Sequence, residues 1–338
     1  MKSQLRHIYH KYIKPKAIVL MYHRVANLES DIWDITVSPS NFEQHLQVIK
    51  ELKSVVPLNV LALDVKKKNI RKNSVAISFD DGYADNFTEA CPLLEKYGIP
   101  ATFFISSINI DTSNLFWWDE LEQIILYKDS LPQRISIVLG EQLVVYNLQE
   151  EAILTENKKS ENKRWKAYLQ LPPSRRCELY LILWRLLKPL PHNMQKQSLQ
   201  KIKHWAGLQE ESLIAYQSMT GDQLQALSRN KLFDVGAHTT SHLSLPLHTR
   251  KLQESEIIEN KNFLQASIGK NVKLLSYPYG DYNDMTVAAT ASAAFDAAFT
   301  TAEQVVTNHS NQFLIPRFQV KNWDGKEFQQ QLNKWLLK

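Results

Sequence analysis

The sequence predicts an α/β fold with parallel strands, and three observations predict it. Short apolar runs recur along the chain. Segments with helical spacing of apolar residues lie between and after them, and polar residues suited to chemistry stand just beyond the runs. In order, residues 17–22, 75–79, 101–105, 234–237, 273–277 and 297–300 read as buried strands, being short and mostly rich in Val, Ile, Leu, Phe or Ala. Residues 41–52 carry Phe42, Leu46 and Ile49 on one helix face. Residues 255–268 do the same with Ile257, Ile258, Phe263, Leu264 and Ile268, and residues 328–337 with Phe328, Leu332, Trp335 and Leu336. Such alternation implies crossover helices between parallel strands, hence an α/β barrel or a doubly wound sheet.

The middle of the chain breaks this rhythm. From 114 to 220 the sequence is mostly helical, charged and rich in tryptophan, and Pro172, Pro173, Pro189 and Pro191 punctuate it. One strand pair is expected there, residues 134–139 and 142–146, with Gly140 and Glu141 as the turn. The expected organisation is a basic arm over 1–16, a main domain built from 17–113 and 221–338, and a helical insertion over 114–220.

With 338 residues, 44% hydrophobic and 22% charged, the chain has a globular composition with a full core. Two cysteines, Cys91 and Cys177, exclude a disulfide framework and a four-thiolate metal site. The net charge of +5 resides in the arm, where Lys2, Arg6, Lys11, Lys14 and Lys16 stand without an acid. The rest is balanced, which argues against a nucleic-acid-binding face. With Ile8, Tyr9, Tyr12 and Ile13, the arm suits peripheral contact with an anionic membrane surface or an exposed tail. The apolar stretch 17–21 is shorter than the roughly 7–15 residues of a secretion-signal core. The expected location is the cytoplasm, or the cytoplasmic face of the membrane.

Residues fit for chemistry follow four of the predicted strands: His23, the pair Asp80-Asp81 before Gly82, His238 with His242, and the turn Pro278-Tyr279-Gly280. In parallel α/β folds the carboxyl ends of strands share one rim, where active sites lie. Adjacent buried aspartates repel unless one is neutralised, and a divalent cation does that while leaving the other as a base. His238 and His242, four apart as on one helical turn, present both rings to one point and complete a His, His, Asp set with Asp81.

These residues resemble a known family. Ser78-Phe79-Asp80-Asp81-Gly82, His238 to His242, and Ser276-Tyr277-Pro278-Tyr279-Gly280 are similar to the three ordered motifs of the polysaccharide deacetylases, the NodB homology domain or carbohydrate esterase family 4. Met21-Tyr22-His23-Arg24-Val25 resembles the first strand of the surface-glycan branch. The resemblance implies a distorted (β/α)7 barrel and metal-dependent removal of an acetyl group from an amino sugar of a bacterial polysaccharide or a lipid-linked glycan precursor. It implies Asp81, His238 and His242 as ligands of a divalent ion, Zn2+ first and Co2+, Ni2+ or Fe2+ as alternatives. Asp80 becomes the general base, and the backbone N–H of Tyr279 a contact for the developing oxyanion.

The chain departs from the family pattern at three points. Ser276 stands where the family often has an arginine that orients the base, and Arg317 is the candidate replacement. No histidine stands in the family's late Leu-x-His pattern, which leaves His309 or His23 as candidate acid. The insertion adds Trp117 and Trp118, candidate sugar contacts together with Pro278, or else core aromatics. A deformylase on a lipid-linked amino sugar needs the same machinery, and a catalytically silent glycan-binding protein on this fold is the non-enzymatic alternative.

Overall fold

Side chains alternate across a strand, and in this protein both faces of the main sheet are covered, so nearly every strand residue is apolar or small. The computed structural model describes residues 15–52, 54–208 and 216–337. Residues 1–14 of the basic arm, with its proposed membrane contact, lie outside the described residues. The contacts divide the chain into two units. One holds the chain up to Asn27, Ile35–Asp111 and everything from Ser218; the other holds Leu28–Asp34 and Thr112–Gln217.

In chain order the strands are β1 (Ala17–Tyr22), β2 (Arg24–Val25), β3 (Thr36–Val37), β4 (Ser74–Phe79), β5 (Ala101–Ile105), β6 (Arg134–Leu139), β7 (Gln142–Asn147), β8 (Phe233–Ala237), β9 (Leu274–Ser276), β10 (Ala297–Phe299) and β11 (Phe318–Gln319). Seven of them form one parallel sheet in the order β10-β9-β8-β5-β4-β1-β11. The two ends of that order meet. Ile315, just before β11, bridges Phe299 of β10, and Ala298 N–H donates to the Gln312 carbonyl at 2.9 Å. This is the distorted seven-stranded barrel that the resemblance implied, closed on one side by irregular chain rather than a full strand pair.

The alternation sorts the residues. Ile18, Leu20 and Tyr22 of β1, Ile77 and Phe79 of β4, and Phe103 and Ile105 of β5 pack outward in the helix-covered layer. Ala17, Val19, Ala76, Phe104, Leu274, Ala297 and Phe299 fill the inside. Carried one or two positions further, the inner parity delivers Ser78 and Asp80 from β4, His238 from β8 and Ser276 from β9 to the carboxyl rim. Helix Arg250–Ile268 runs between β8 and β9, started by Thr249 accepting from Leu252 N–H and stopped by left-handed Gly269.

In the second unit β6 and β7 pair antiparallel through Gly140 and Glu141, as the sequence suggested, and β7 runs one residue further than expected. Helices Glu156–Arg164, Arg175–Leu187 and His192–Trp205 complete its main elements. Leu28–Asp34 joins this unit through Ile32, whose carbonyl accepts from Ala167 N–H at 2.9 Å, and Trp33, whose indole N–H donates to Tyr180 Oη at 2.9 Å. Among the described residues no helix is long and apolar enough to cross a membrane.

Candidate active site

The turn after β4 places two carboxylates side by side. Asp81 has φ 75° and Gly82 φ 86°, and a Cβ at Gly82 would lie 2.9 Å from Ile105 Cγ2, so only glycine fits the tight approach. Asp80 points inward, 2% exposed, and Asp81 is 4% exposed. The stretch from His238 to His242 is an irregular loop, not the helical turn its spacing suggested. Left-handed backbone at Thr239 (φ 62°) and His242 (φ 55°) curls it back on itself. The two rings still converge, with centroids 4.8 Å apart.

Asp81, His238 and His242 each offer one ligand atom, all within 4.8 Å of one another. Asp81 Oδ1 stands 3.4 Å from His238 Nε2 and 3.3 Å from His242 Nε2. Those separations are the edges expected when three ligands surround one cation at bonds of about 2.1 Å. The donor chemistry agrees. His238 Nδ1 lies 2.8 Å from the Ser276 carbonyl, which only accepts, so Nδ1 carries a hydrogen and Nε2 is the ring atom left facing Asp81. Burial pushes the His242 imidazole below its ordinary pKa, toward the neutral ligand form. Burial alone would raise the Asp81 carboxyl, but hydrogen bonds and charge from His238 and His242 hold it well below its usual range. Two imidazole nitrogens and an ionised carboxylate are a donor set that fits a divalent metal.

Asp80 is held differently. Arg317 is fully buried and grips it in a fork, Nη1 to Oδ1 and Nη2 to Oδ2, both at 2.7 Å. The remaining guanidinium hydrogens go to Ser78 Oγ at 3.1 Å, Ser276 Oγ at 2.7 Å and the Thr300 carbonyl at 3.1 Å, so all five donors are used. Ser276 also donates to Asp80 Oδ2 at 3.1 Å. Burial raises the Asp80 carboxyl, while Arg317, His238 and His23 lower it, and the outcome is below the ordinary value. The site thus has one carboxylate facing the two histidines and one fixed by an arginine.

Of the two acid candidates, the structure places only His23 at this rim. It stands close enough to Asp80 and Asp81 to help lower both carboxyls, and its Nδ1 is buried without a hydrogen-bond partner among the described residues. The Asn86 side chain holds its carbonyl at 2.7 Å. The fully paired Arg24–Asp85 ion pair, 2.8 Å long and stacked on Tyr83, anchors the next residue; the sequence reading missed it. His309 is the correction. It is exposed in a turn whose neighbour Val306 pairs with Ala17 at the start of β1, and Asn308 accepts from Ile70 N–H ahead of β4. It therefore sits at the amino ends of the strands, opposite the carboxylates.

Tyr279, at φ 60° in the turn Pro278–Gly280, packs its ring edge-on to His242 at 4.5 Å, and Pro278 is buried beside it. Trp117 and Trp118 are a second correction. They are 7% and 8% exposed, and within the second unit Trp118 stacks on Phe116 at 4.5 Å while Trp117 meets Trp184 at 6.1 Å. Rings so buried are core, and no open face remains for a sugar.

The family model for polysaccharide deacetylase matches residues 67–127 and 200–298. The chain is 24% identical over 340 residues to the poly-beta-1,6-N-acetyl-D-glucosamine N-deacetylase of Staphylococcus aureus, covering 93% of this chain and 85% of that protein. It is 33% identical over 92 residues to YxkH of Bacillus subtilis, covering 27% of this chain and only 32% of that relative. The solved structure of IcaB from Ammonifex degensii shares the fold, with a TM-score of 0.57 at 15% identity over 96% of this chain and 98% of that one.

Proposed function

The chain belongs to the polysaccharide deacetylase family, and from that premise we propose that it is a metal-dependent N-deacetylase of an exopolysaccharide built from N-acetylglucosamine. The observation that carries the reading is the division of labour between the adjacent carboxylates, Asp81 toward the histidines and Asp80 in the Arg317 fork. The Staphylococcus aureus relative, by its name, acts on a β-1,6-linked polymer of this sugar, which supports that substrate class.

Asp81, His238 and His242 would hold the ion. Zn2+ suits this donor set and, when bound, supplies Lewis-acid polarisation of the acetamide carbonyl and a lowered pKa for water. The protein's own residues do the rest. Asp80, ionised and unable to rotate in the Arg317 fork, accepts a proton from the attacking water. The water oxygen bonds to the acetyl carbon, and the Tyr279 backbone N–H faces the charge that develops on the carbonyl oxygen. His23 donates a proton to the sugar nitrogen as the carbon–nitrogen bond breaks, releasing acetate and the free amine.

Metal content and acetate release from β-1,6-linked N-acetylglucosamine oligomers test this on wild type and Asp80→Asn. The wild type should bind one Zn2+ and release acetate, and the variant should keep the metal while losing about 10²–10⁴-fold in rate. Formate release from an N-formyl oligomer without acetate release would replace the deacetylase by the deformylase. A wild type that takes up no metal on reconstitution would defeat the catalytic assignment.

A further inference from the structure

The loop that carries His238 and His242 is built on backbone that side chains resist. Thr239 and His242 lie at φ 62° and 55°, and such conformations persist only where the surroundings dictate them. What dictates them is one helix. On Arg250–Ile268, Glu256 and Asn260 stand one turn apart and are buried, at 7% and 0% exposure, where a helix covering a barrel ordinarily shows apolar residues.

Both reach the loop. The Glu256 carboxylate accepts from Ser241 N–H at 2.8 Å and from Ser241 Oγ at 2.6 Å, next to His242. Its main-chain carbonyl accepts from Thr240 N–H at 3.1 Å. Asn260 Oδ1 accepts from the His238 N–H at 3.0 Å, while its Nδ2 donates to the Ile105 carbonyl at 3.1 Å and to Ser107 Oγ at 3.0 Å. Ser106 Oγ closes the frame on the His238 carbonyl at 2.8 Å. The helix therefore grips the loop beside each histidine and ties it to the end of β5, the strand next to β4, whose following turn carries Asp81.

We propose that Glu256 and Asn260 are positioning residues that hold His238 and His242 at metal-ligating separation from Asp81; the proposal rests on the metal-dependent reading above. These bonds to the loop run to main-chain groups and to the Ser241 hydroxyl. Their effect is on backbone, fixing where each histidine Cα stands and how the strained loop is stored before a cation arrives. Loss of an outer partner of a metal site typically costs about 10–100-fold in metal affinity.

Zn2+ affinity of the full chain, by competition with a chromophoric chelator, tests this alongside the melting temperature without metal. Glu256→Leu removes both carboxylate bonds and should weaken Zn2+ binding about 10–100-fold. Glu256→Gln can accept from Ser241 N–H and donate to Ser241 Oγ, so it should restore affinity to within about threefold of wild type. A purely structural Glu256 would lower the melting temperature in Glu256→Leu and leave the affinity of the folded protein unchanged, which would overturn the proposal. Should Glu256→Leu fail to fold, Ser241→Ala removes only the hydroxyl contact, and unchanged affinity there overturns the proposal equally. A wild type that binds no Zn2+ overturns the metal reading and this proposal together, whereas wild-type binding with indifferent variants overturns this proposal alone.

Discussion

At the scale of single residues, the Arg317–Asp80 pair decides most. Both groups are removed from water, and such a pair holds only because every donor and acceptor is matched. Arg317→Met would strand a buried carboxylate. We expect a loss of about 3–5 kcal/mol, read as a lowered urea midpoint. Arg317→Lys should recover little of it, because an ammonium cannot make the fork. The sequence showed Asp80, Asp81, His238 and His242 plainly, since each follows an apolar strand and the chemistry needs their grouping. It showed Arg317 only as a candidate, because five buried hydrogen bonds to distant segments leave no local pattern. The misplacement of His309 has the same origin. A histidine's distance from the site depends on which end of which strand its loop caps, and only the pairing of Val306 with Ala17 reveals that.

At the scale of elements, strands were legible where both faces are buried, with ends displaced by about one residue. Ala17–Tyr22 and Ala101–Ile105 appear as read; β4 and β8 begin one residue earlier. β11 escaped because it has two residues and its neighbour Ile315 pairs by an isolated bridge. The ligand loop was read as a helical turn because its left-handed residues, Thr239 and His242, are not glycines and give no sign in the sequence. Gly236 in β8 tests the packing inside the barrel. A Cβ there would meet Phe104 Cδ1 at 2.3 Å and Cε1 at 2.5 Å, with the Leu274 carbonyl at 3.2 Å behind. Gly236→Ala must displace that ring, and overpacking of this kind costs about 1–3 kcal/mol. In a Phe104→Leu background the same substitution should cost measurably less, so the double-mutant cycle on denaturant midpoints should show coupling. Additive effects would mean that the ring is not what fills the space.

At the scale of the whole barrel unit, the question is what holds its two chain-distant edges together. Helix Pro39–Glu51, early in the chain, and helix Gly325–Leu337, at its end, meet around His45. The ring of His45 stacks on Phe328 at 4.2 Å, its Nε2–H donates to the Trp323 carbonyl at 2.7 Å, and its Nδ1 faces Tyr22 Oη at 3.3 Å. The apolar stripes of both helices were visible in the sequence, but nothing there marks the histidine at their junction. Burial lowers its pKa from 6.5 to about 4, against the opposing pull of the Trp323 carbonyl. The folded state therefore resists the proton that the unfolded chain accepts below 6.5. The contribution is full above pH 6.5, shrinks as pH falls from 6.5 towards 4, and is gone below, at most about 3 kcal/mol in all. Other buried groups add their own pH dependence, Asp85 and Glu256 being raised by burial, so the wild-type curve alone is a sum. His45→Gln keeps a donor for the Trp323 carbonyl and removes the titration. The difference between the two urea-midpoint curves should therefore slope between pH 6.5 and 4 in the wild type's disfavour and be level outside that window. A difference that stays level throughout would mean that the imidazole accepts its proton in place, and that the junction between the first and last helices is open to water.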